Sequence, residues 1–167
     1  MRAGEELAPL EIAVTRTLIV AGAIASRDYQ DVHHDAETAR RKGSPDVFMN
    51  ILTTNGLVGR YVTDRLGPAT VLRKVVIRLG VPNYPGDTMV LSGRVAAVGE
   101  DGTAEVAVVG TNGLGRHVTG TVTVALPAAP AAPAAPAAPA APAAPAAPAA
   151  PAAPGAPGER NEREGAA

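Results

Sequence analysis

The sequence predicts an α+β fold in which one long helix packs on a curved antiparallel sheet. In the first half of the chain, one long stretch repeats its apolar residues every three to four positions, as an amphipathic helix does. After Pro68 the period changes to two, and apolar residues alternate with polar ones in four successive segments. From Pro127 to Pro154 a proline stands at every third position with two alanines between. We therefore expect a single domain at residues 1–126 and a disordered Ala-Ala-Pro repeat tail at residues 127–167.

Two short helices are predicted before the long one. Residues 17–25 form a short apolar stretch, and Thr15 before it can cap the first turn. Asp35 can cap a second helix, whose last turn is basic and which Gly43 is expected to end. The polar segment between these two helices is therefore expected to form a loop.

The long helix is predicted to begin with Ser44 as its cap and Pro45 in its first turn. Gly67 and Pro68 are expected to end it. A helix with one apolar stripe needs a surface to pack on, and the strands that follow supply one. The residues that form this stripe are Val47, Phe48, Ile51, Leu52, Val58, Tyr61, Val62 and Leu66.

Four strands are predicted after Pro68, and residues 10–15 are expected to add an edge strand. Turn-forming residues separate the strands, with residues 100–102 and 112–115 as two of the turns. His117 falls among the residues expected on the outer face of the last strand. The set expected to alternate with the outer residues is Val75, Ile77, Leu79, Met89, Leu91, Gly93, Val95, Val106, Val108, Val118, Val122, Val124 and Leu126.

Charge and composition exclude several classes of partner. The tail holds two of the 15 basic and three of the 16 acidic residues, so residues 1–126 carry 13 of each. Nucleic acid binding needs a concentrated positive surface or aromatic platforms, and the chain has one Phe, three Tyr and no Trp. The lack of cysteine excludes disulfides and a cysteine-based zinc site. The sequence shows neither a secretion signal nor a membrane-spanning run, so we expect a cytoplasmic protein with no nucleic acid or membrane partner.

The densest polar cluster is Ser26-Arg-Asp-Tyr-Gln-Asp-Val-His-His-Asp35, in the loop expected between the two short helices. An irregular loop can turn Asp28 and His33 toward one point, where a carboxylate and an imidazole make an acid/base pair. A solvated surface loop is an equally good interpretation of these residues alone. A metal site at His33, His34 and Asp35 is disfavoured because adjacent residues rarely aim at one ion. The sequence contains no GxSxG motif for a nucleophilic serine.

Three segments in order along the chain resemble the motifs of the MaoC-like hydratases, which are R-specific enoyl-CoA hydratases. The first resembles that family's Ser-Gly-Asp-x-Asn-Pro-Ile/Leu/Val-His loop, and the resemblance covers about residues 8–126. It implies a single hot-dog domain at residues 1–126, in which the sheet wraps a long central helix. The three segments are Ser26-Arg-Asp-Tyr-Gln-Asp-Val-His33, Tyr84-Pro-Gly-Asp-Thr88 and Asn112-Gly-Leu-Gly-Arg-His-Val-Thr-Gly120.

The resemblance implies roles for five residues. Asp28 and His33 would form the catalytic pair. Gln30 stands where the motif has Asn, so its polar contact to water or substrate would be longer by one methylene. Asn50 and Ile51 lie where many relatives have a glycine whose amide binds the thioester oxygen, and with Gln30 they are the expected substrate-binding residues. The resemblance implies no metal ligand.

A narrower resemblance is to the small MaoC-like subunits of heteromeric hydratases in steroid side-chain degradation by actinobacteria. It implies a second hot-dog chain as partner, and so a hetero-oligomer, and a CoA thioester with a bulky ring system as substrate. Arg27 departs from the hydratase motif, which has glycine there. The segments that carry the narrower resemblance are Arg27-Asp-Tyr-Gln-Asp-Val-His-His-Asp35, Asn50-Ile-Leu-Thr53, Gly56-Leu-Val58, Arg60-Tyr-Val-Thr-Asp64 and Arg78-Leu-Gly-Val-Pro82.

We therefore expect a hydratase subunit that adds water across the α,β double bond of an enoyl-CoA thioester without a metal or redox cofactor. The reaction needs one group to deprotonate water, one to protonate the α-carbon and a donor for the thioester oxygen. His33 is the expected base and Asp28 the group that returns the proton, although the two roles could be exchanged. The alternatives are a non-catalytic hot-dog scaffold subunit and a hot-dog thioesterase. The thioesterase would need a carboxylate on the long helix, where Asp46 and Asp64 are poorly placed.

Overall fold

The computed structural model of the chain describes residues 1–126, which form one antiparallel sheet and three α-helices. The expected Ala-Ala-Pro tail lies outside the described residues. The strands are β1 (Glu6–Ala13), β2 (Val71–Leu79), β3 (Thr88–Val98), β4 (Thr103–Asn112) and β5 (Gly115–Ala125), and the helices are α1 (Arg16–Ala25), α2 (Ala36–Arg41) and α3 (Ile51–Leu66).

The five strands lie in the order β1-β3-β4-β5-β2, and every neighbouring pair is antiparallel. The four strands predicted after Pro68 are therefore confirmed, as are the turns at residues 100–102 and 112–115 that join β3 to β4 and β4 to β5. The N-terminal strand is also present, and it begins earlier than expected, at Glu6. β1 and β2 form the two open edges of the sheet.

The long helix α3 packs against the sheet through a fully buried face that includes Val58, Tyr61 and Val62. The ring of Tyr61 comes so close to β3 that a Cβ atom at Gly93 would lie 3.0 Å from its Cε1 atom. Glycine at that position thus lets the helix approach the sheet. The Tyr61 hydroxyl donates a hydrogen bond to the carbonyl of Leu7 in β1 at 3.3 Å, which ties the helix to an edge strand.

The predicted start of the long helix at Ser44 and Pro45 is wrong. The helix begins at Ile51, and Asn50 is its N-cap. The Oδ1 atom of Asn50 accepts a hydrogen bond from the amide of Thr53 at 3.0 Å, which satisfies one of the free donors of the first turn. Asn50 therefore caps α3 in place of Ser44, and the helix starts six residues later than the predicted first-turn residue Pro45.

The residues just before α3 are extended because their backbone groups bond to other segments. The amide of Phe48 donates to the carbonyl of Val32 at 3.2 Å, and that of Met49 donates to the carbonyl of Asn83 at 3.0 Å. Val47 and Met49 are buried, while Phe48 between them is half-buried. The apolar residues at the predicted start of the helix therefore enter the core with the two-residue alternation of an extended chain.

The two short helices form as predicted. Thr15 caps α1, and its Oγ1 accepts a hydrogen bond from the amide of Leu18 at 3.0 Å. Asp35 caps α2, and one of its oxygens accepts from the amide of Thr38 at 3.0 Å. Gly43 follows α2 with a φ of 88°, a value that favours glycine. None of the helices in residues 1–126 is long and apolar enough to cross a membrane.

The predicted outward orientation of His117 is wrong, because this side chain is only 1% exposed. Its neighbour Val118 is also buried, so the two-residue alternation fails at the start of β5. The segment that follows β2 covers the side of β5 on which the His117 side chain lies. Gly80 donates its amide to the carbonyl of His117 at 2.7 Å, and Val81 donates to that of Arg116 at 3.1 Å. This cover buries a residue that the strand pattern alone would leave in solvent.

Candidate active site

The loop after α1 turns back sharply at Arg27. This residue has a φ of 57°, a left-handed conformation that favours glycine. Before it, the hydroxyl of Ser26 donates to the carbonyl of Gly22 at 2.7 Å. After it, the amide of Asp28 donates to the carbonyl of Ala23 at 2.9 Å. The turn therefore brings Asp28 back beside the last turn of α1.

A 3₁₀ turn at Asp31–His33 then brings His33 opposite Asp28. The Nε2 atom of His33 lies 3.4 Å from the Oδ2 atom of Asp28. Both side chains are largely withdrawn from solvent, with 7% of His33 and 17% of Asp28 exposed. The two residues that the loop pattern suggested as an acid/base pair thus stand face to face.

Phe48 orients the ring of His33. The carbonyl oxygen of Phe48 lies 2.7 Å from the Nδ1 atom of His33. Because a carbonyl can only accept, Nδ1 carries the proton of the neutral ring and the lone pair stays on Nε2, which faces Asp28. The ring of Phe48 also packs edge-on against the imidazole at a centroid distance of 5.0 Å. The extended segment before α3 therefore sets both the tautomer and the position of the imidazole.

Asn50 holds the carboxylate of Asp28. Its Nδ2 group donates to Asp28 Oδ2 at 3.0 Å and to the hydroxyl of Ser26 at 2.9 Å. The bond from Asn50 is the main reason that the pKa of Asp28 lies below its ordinary value. The amide of Gln30 and, when it is protonated, the imidazole of His33 act in the same direction, against the desolvation of the carboxyl group. Asn50 is 2% exposed, and its side chain is used for protein contacts. It therefore positions Asp28 as well as capping α3.

The first turn of α3, which begins beside Asp28, contains free backbone amides. Within residues 1–126, the backbone N–H groups of Ile51 and Leu52 have no hydrogen-bond partner, whereas those of Thr53 and Thr54 bond to Asn50. Free amides at a helix N-terminus, together with the helix dipole, stabilise negative charge. The amide of Ile51 is therefore suited to binding an oxygen that becomes negative during a reaction.

A cleft of about 270 Å³ opens beside these groups. One wall holds His33 and the start of α3, and the opposite wall is the segment after β2 together with His117. The lining is mainly apolar apart from the two imidazoles and Asn50. The full set of lining residues is His33, Phe48, Met49, Asn50, Ile51, Leu79, Gly80, Val81, Pro82 and His117.

His117 is a residue of this cleft that sequence reasoning missed. Its Nδ1 donates to the carbonyl of Val81 at 2.6 Å, and its Nε2 lies 2.9 Å from the hydroxyl of Thr54 in α3. Burial lowers the pKa of His117 below its ordinary value. A neutral ring with Nδ1–H then accepts from Thr54, which links β5 to the first turns of α3. A histidine among valines of a strand was the available signal, but the strand pattern placed it on the wrong face.

The remaining candidate residues lie elsewhere. Gln30 is exposed, and it reaches Asp28 only through its backbone amide, at 3.4 Å. Asp46 forms a two-pronged ion pair with Arg16, and Asp64 is exposed near the end of α3, so neither lines the cleft as a thioesterase carboxylate would. Within residues 1–126, no group of three or more acidic or histidine side chains is arranged to hold a metal ion.

A helix wrapped by a five-stranded antiparallel sheet, with a carboxylate and an imidazole at the helix N-terminus, defines a hot-dog protein with an acid/base site. No family model matches the chain. The chain is 50% identical over 123 residues to the 3-oxo-4,17-pregnadiene-20-carboxyl-CoA hydratase beta subunit of Mycobacterium tuberculosis, a match that covers 74% of this chain and 95% of that protein.

Two solved structures support the same assignment of the fold. The crystal structure of the ChsH1–ChsH2 complex from Mycobacterium tuberculosis matches with a TM-score of 0.72 and 50% identity, over 74% of this chain and 97% of that chain. The R-hydratase PhaJ1 from Pseudomonas aeruginosa matches with a TM-score of 0.71 and 20% identity, over 76% and 83% of the two chains. This chain belongs to the family of MaoC-like enoyl-CoA hydratases, which have the hot-dog fold.

Proposed function

We propose that this chain is the catalytic subunit of a hydratase that adds water across the α,β double bond of a steroid side-chain enoyl-CoA thioester. The observation that carries the proposal is the Asp28–His33 pair, of which His33 lines a cleft together with Ile51, whose amide is free. The named activity of the relative at 50% identity, a 3-oxo-4,17-pregnadiene-20-carboxyl-CoA hydratase beta subunit, supports the class of substrate.

The geometry supports a mechanism in which one water molecule is held by Asp28 and His33. The lone pair on His33 Nε2 accepts a proton from this water, while ionised Asp28 orients it. The oxygen of the water forms its bond to the β-carbon as the double bond opens, and negative charge moves to the thioester oxygen. The amide of Ile51 stabilises that charge.

The α-carbon then takes up a proton, which completes the saturated β-hydroxyacyl thioester. Because the pKa of Asp28 is held low, this carboxylate has no proton of its own to give at neutral pH. We infer that the proton taken from water returns to the α-carbon within the pair, either from His33 or through Asp28. The pair then ends the turnover in the state in which it began, with one water consumed and no cofactor needed.

A bulky acyl group requires more enclosure than this chain supplies alone. The cleft of about 270 Å³ lies just below the range of roughly 300–1,000 Å³ for ligand pockets. Ile51 and Leu52, at the start of α3, are each 49% exposed, so apolar surface lies open next to the reacting groups. We infer that a second hot-dog chain completes this wall, and the ChsH1–ChsH2 complex of Mycobacterium tuberculosis, in which the relative is one of two different chains, supports this inference.

The β2 edge is the candidate site for pairing with this partner. β1 contains a proline and two glutamates, which protect an edge from pairing. On β2, Val71, Leu72 and Val76 are 49%, 43% and 52% exposed. A partner strand would cover the free backbone groups of this edge. Light scattering on the chain alone and with a co-expressed hot-dog partner tests this, and a stable, fully active monomer would contradict it.

The catalytic proposal is tested by replacing each member of the pair. Asp28→Ala and His33→Ala should each lower kcat/KM at least about 100-fold, because each removes a group that handles the proton. The assay follows loss of the conjugated thioester absorbance of a steroid enoyl-CoA. His34→Ala is the matched control, since the side chain of His34 is exposed and bonds to the carbonyl of Tyr29 and not to Asp28 or His33. Wild-type turnover in both Asp28→Ala and His33→Ala would favour a scaffold role instead.

A further inference from the structure

The basic residues of this neutral domain are unevenly distributed. β2 and β5, which pair with each other, carry four basic residues and no acidic one, whereas β1 at the opposite edge carries two glutamates and no basic residue. The ion pairs within residues 1–126 include none of these four basic side chains. The β2 side of the sheet is therefore a positive surface that lacks internal neutralisation. The four residues are Arg73, Lys74, Arg78 and Arg116.

Two of these residues border a pocket that adjoins the active-site cleft. Arg78 and Arg116 line an open pocket of about 330 Å³ at the end of β2. Leu79 and Gly80 line both this pocket and the cleft that contains His33. The two cavities therefore share the end of β2 as part of their walls, and His33 lines one cavity while the two arginines line the other.

We propose that Arg78 and Arg116 bind the phosphate groups of the coenzyme A portion of the substrate. The inference rests on the proposed function, because it assumes that a CoA thioester lies at His33. A thioester held there has its pantetheine arm leading out of the cleft, and the charged nucleotide lies at the far end of that arm. Guanidinium groups form paired, charge-assisted hydrogen bonds with phosphate. Leu79, which lines both cavities, offers an apolar surface for the pantetheine arm between His33 and the two arginines.

Pairing of the β2 edge with a partner would leave this pocket accessible. Strand pairing uses backbone groups in the plane of the sheet, whereas side chains project from its faces. Arg78 is exposed, and its pairing partner within the sheet is Thr119 of β5, which also lines the pocket. The phosphate site and the partner edge thus use different groups of the same strand.

The test compares two substrates that share an acyl group. One is the steroid enoyl-CoA, and the other is the corresponding N-acetylcysteamine thioester, which lacks the nucleotide and its phosphates. In the complex with its partner chain, Arg78→Gln and Arg116→Gln should each raise KM for the CoA ester about tenfold or more, with kcat unchanged. KM for the N-acetylcysteamine ester should not change in either variant.

Lys74→Gln is the matched control. Lys74 lies on the same strand and the same face as Arg78, it is also exposed, and it is roughly 13 Å away at the strand rise of about 3.3 Å per residue. The Lys74→Gln substitution removes one positive charge, as each arginine substitution does, and should leave KM for the CoA ester within about twofold of wild type. An equal rise in KM for Lys74→Gln would show a general effect of charge and would overturn the site. An equal rise for both esters in the arginine variants would show a structural effect and would also overturn it.

Calorimetric titration with free coenzyme A separates this inference from the proposed function. If the complex hydrates the enoyl-CoA and the arginine variants keep wild-type KM and Kd, the phosphate site is wrong and the function stands. If the complex does not hydrate the ester, yet Kd for coenzyme A rises about tenfold in Arg78→Gln and Arg116→Gln but not in Lys74→Gln, the function is wrong and the phosphate site stands.

Discussion

Replacing Asn50 by aspartate separates the two roles that the structure assigns to this side chain. Asn50 Oδ1 caps α3 through the amide of Thr53, and Nδ2 donates to Asp28 at 3.0 Å. Aspartate is as good an N-cap as asparagine, so Asn50→Asp keeps the first role. The substitution replaces the Nδ2 donor with a carboxylate oxygen. The carboxylate of Asp28 then faces a second carboxylate in place of the hydrogen bond that had stabilised its charge.

The size of the effect follows from that distance. Two unit charges 3.0 Å apart at an effective dielectric constant of about 20 repel by roughly 5.5 kcal/mol, an upper limit because the side chains can move apart. The bond from Asn50, which is the main cause of the low pKa of Asp28, is lost at the same time. The carboxylate pair should therefore hold a proton to higher pH, and the acid limb of the kcat/KM profile should move up by about two pH units.

The assay is the pH dependence of steroid enoyl-CoA hydration, measured with thermal unfolding over the same pH range. In the wild type, the lowered pKa of Asp28 contributes stability that is present above the ordinary aspartate range and is lost as pH falls through the folded-state pKa. In Asn50→Asp, the sign reverses, and stability should fall as pH rises and the pair is forced to ionise. Asn50→Ala is the comparison, since it removes the cap and the bond to Asp28 without adding a charge. It should lose at least about 1 kcal/mol of stability, and its acid limb should move up by less than that of Asn50→Asp. An unchanged acid limb in Asn50→Asp would refute the role of Asn50 in holding Asp28.

Three further predictions concern stability. Arg27→Gly should raise the free energy of unfolding by about 0.5–1 kcal/mol and raise Tm by a few degrees, because glycine relieves the left-handed strain at a φ of 57°; a fall in Tm would show that the arginine side chain makes a contact of its own. Gly80→Ala should lower stability by about 2 kcal/mol in chemical denaturation, because its Cβ would overlap the carbonyl oxygen of Arg116. The helical control Gly56→Ala, which has open space around it, should instead raise stability by up to about 1 kcal/mol. Deletion of residues 127–167 should leave Tm and hydration rate nearly unchanged because proline and alanine bury little apolar area, and a Tm several degrees lower would contradict this.

Local periodicity in the sequence is enough to predict the strands and the approach of Asp28 to His33. The two-residue alternation after Pro68 is enough to predict four strands, because one face of each strand must be apolar to pack on the helix. The polar loop between α1 and α2 also predicted that Asp28 and His33 could meet, since both lie within one short irregular segment. Both features depend only on residues that are close together in the sequence.

Other features of the protein depend on contacts between segments that are far apart in the sequence, and local patterns do not predict them. The N-cap of α3 is Asn50 and not Ser44, because Val32 and Asn83 supply the bonding partners that keep the intervening residues extended. His117 is buried because the segment after β2 folds over it, a contact between residues more than 30 positions apart. The clamp of Asn50 on Asp28 likewise joins residues 22 positions apart. Local propensity contains no information on which distant donor or acceptor reaches a given backbone group, and that choice sets the helix start, the buried imidazole and the charge state of the site.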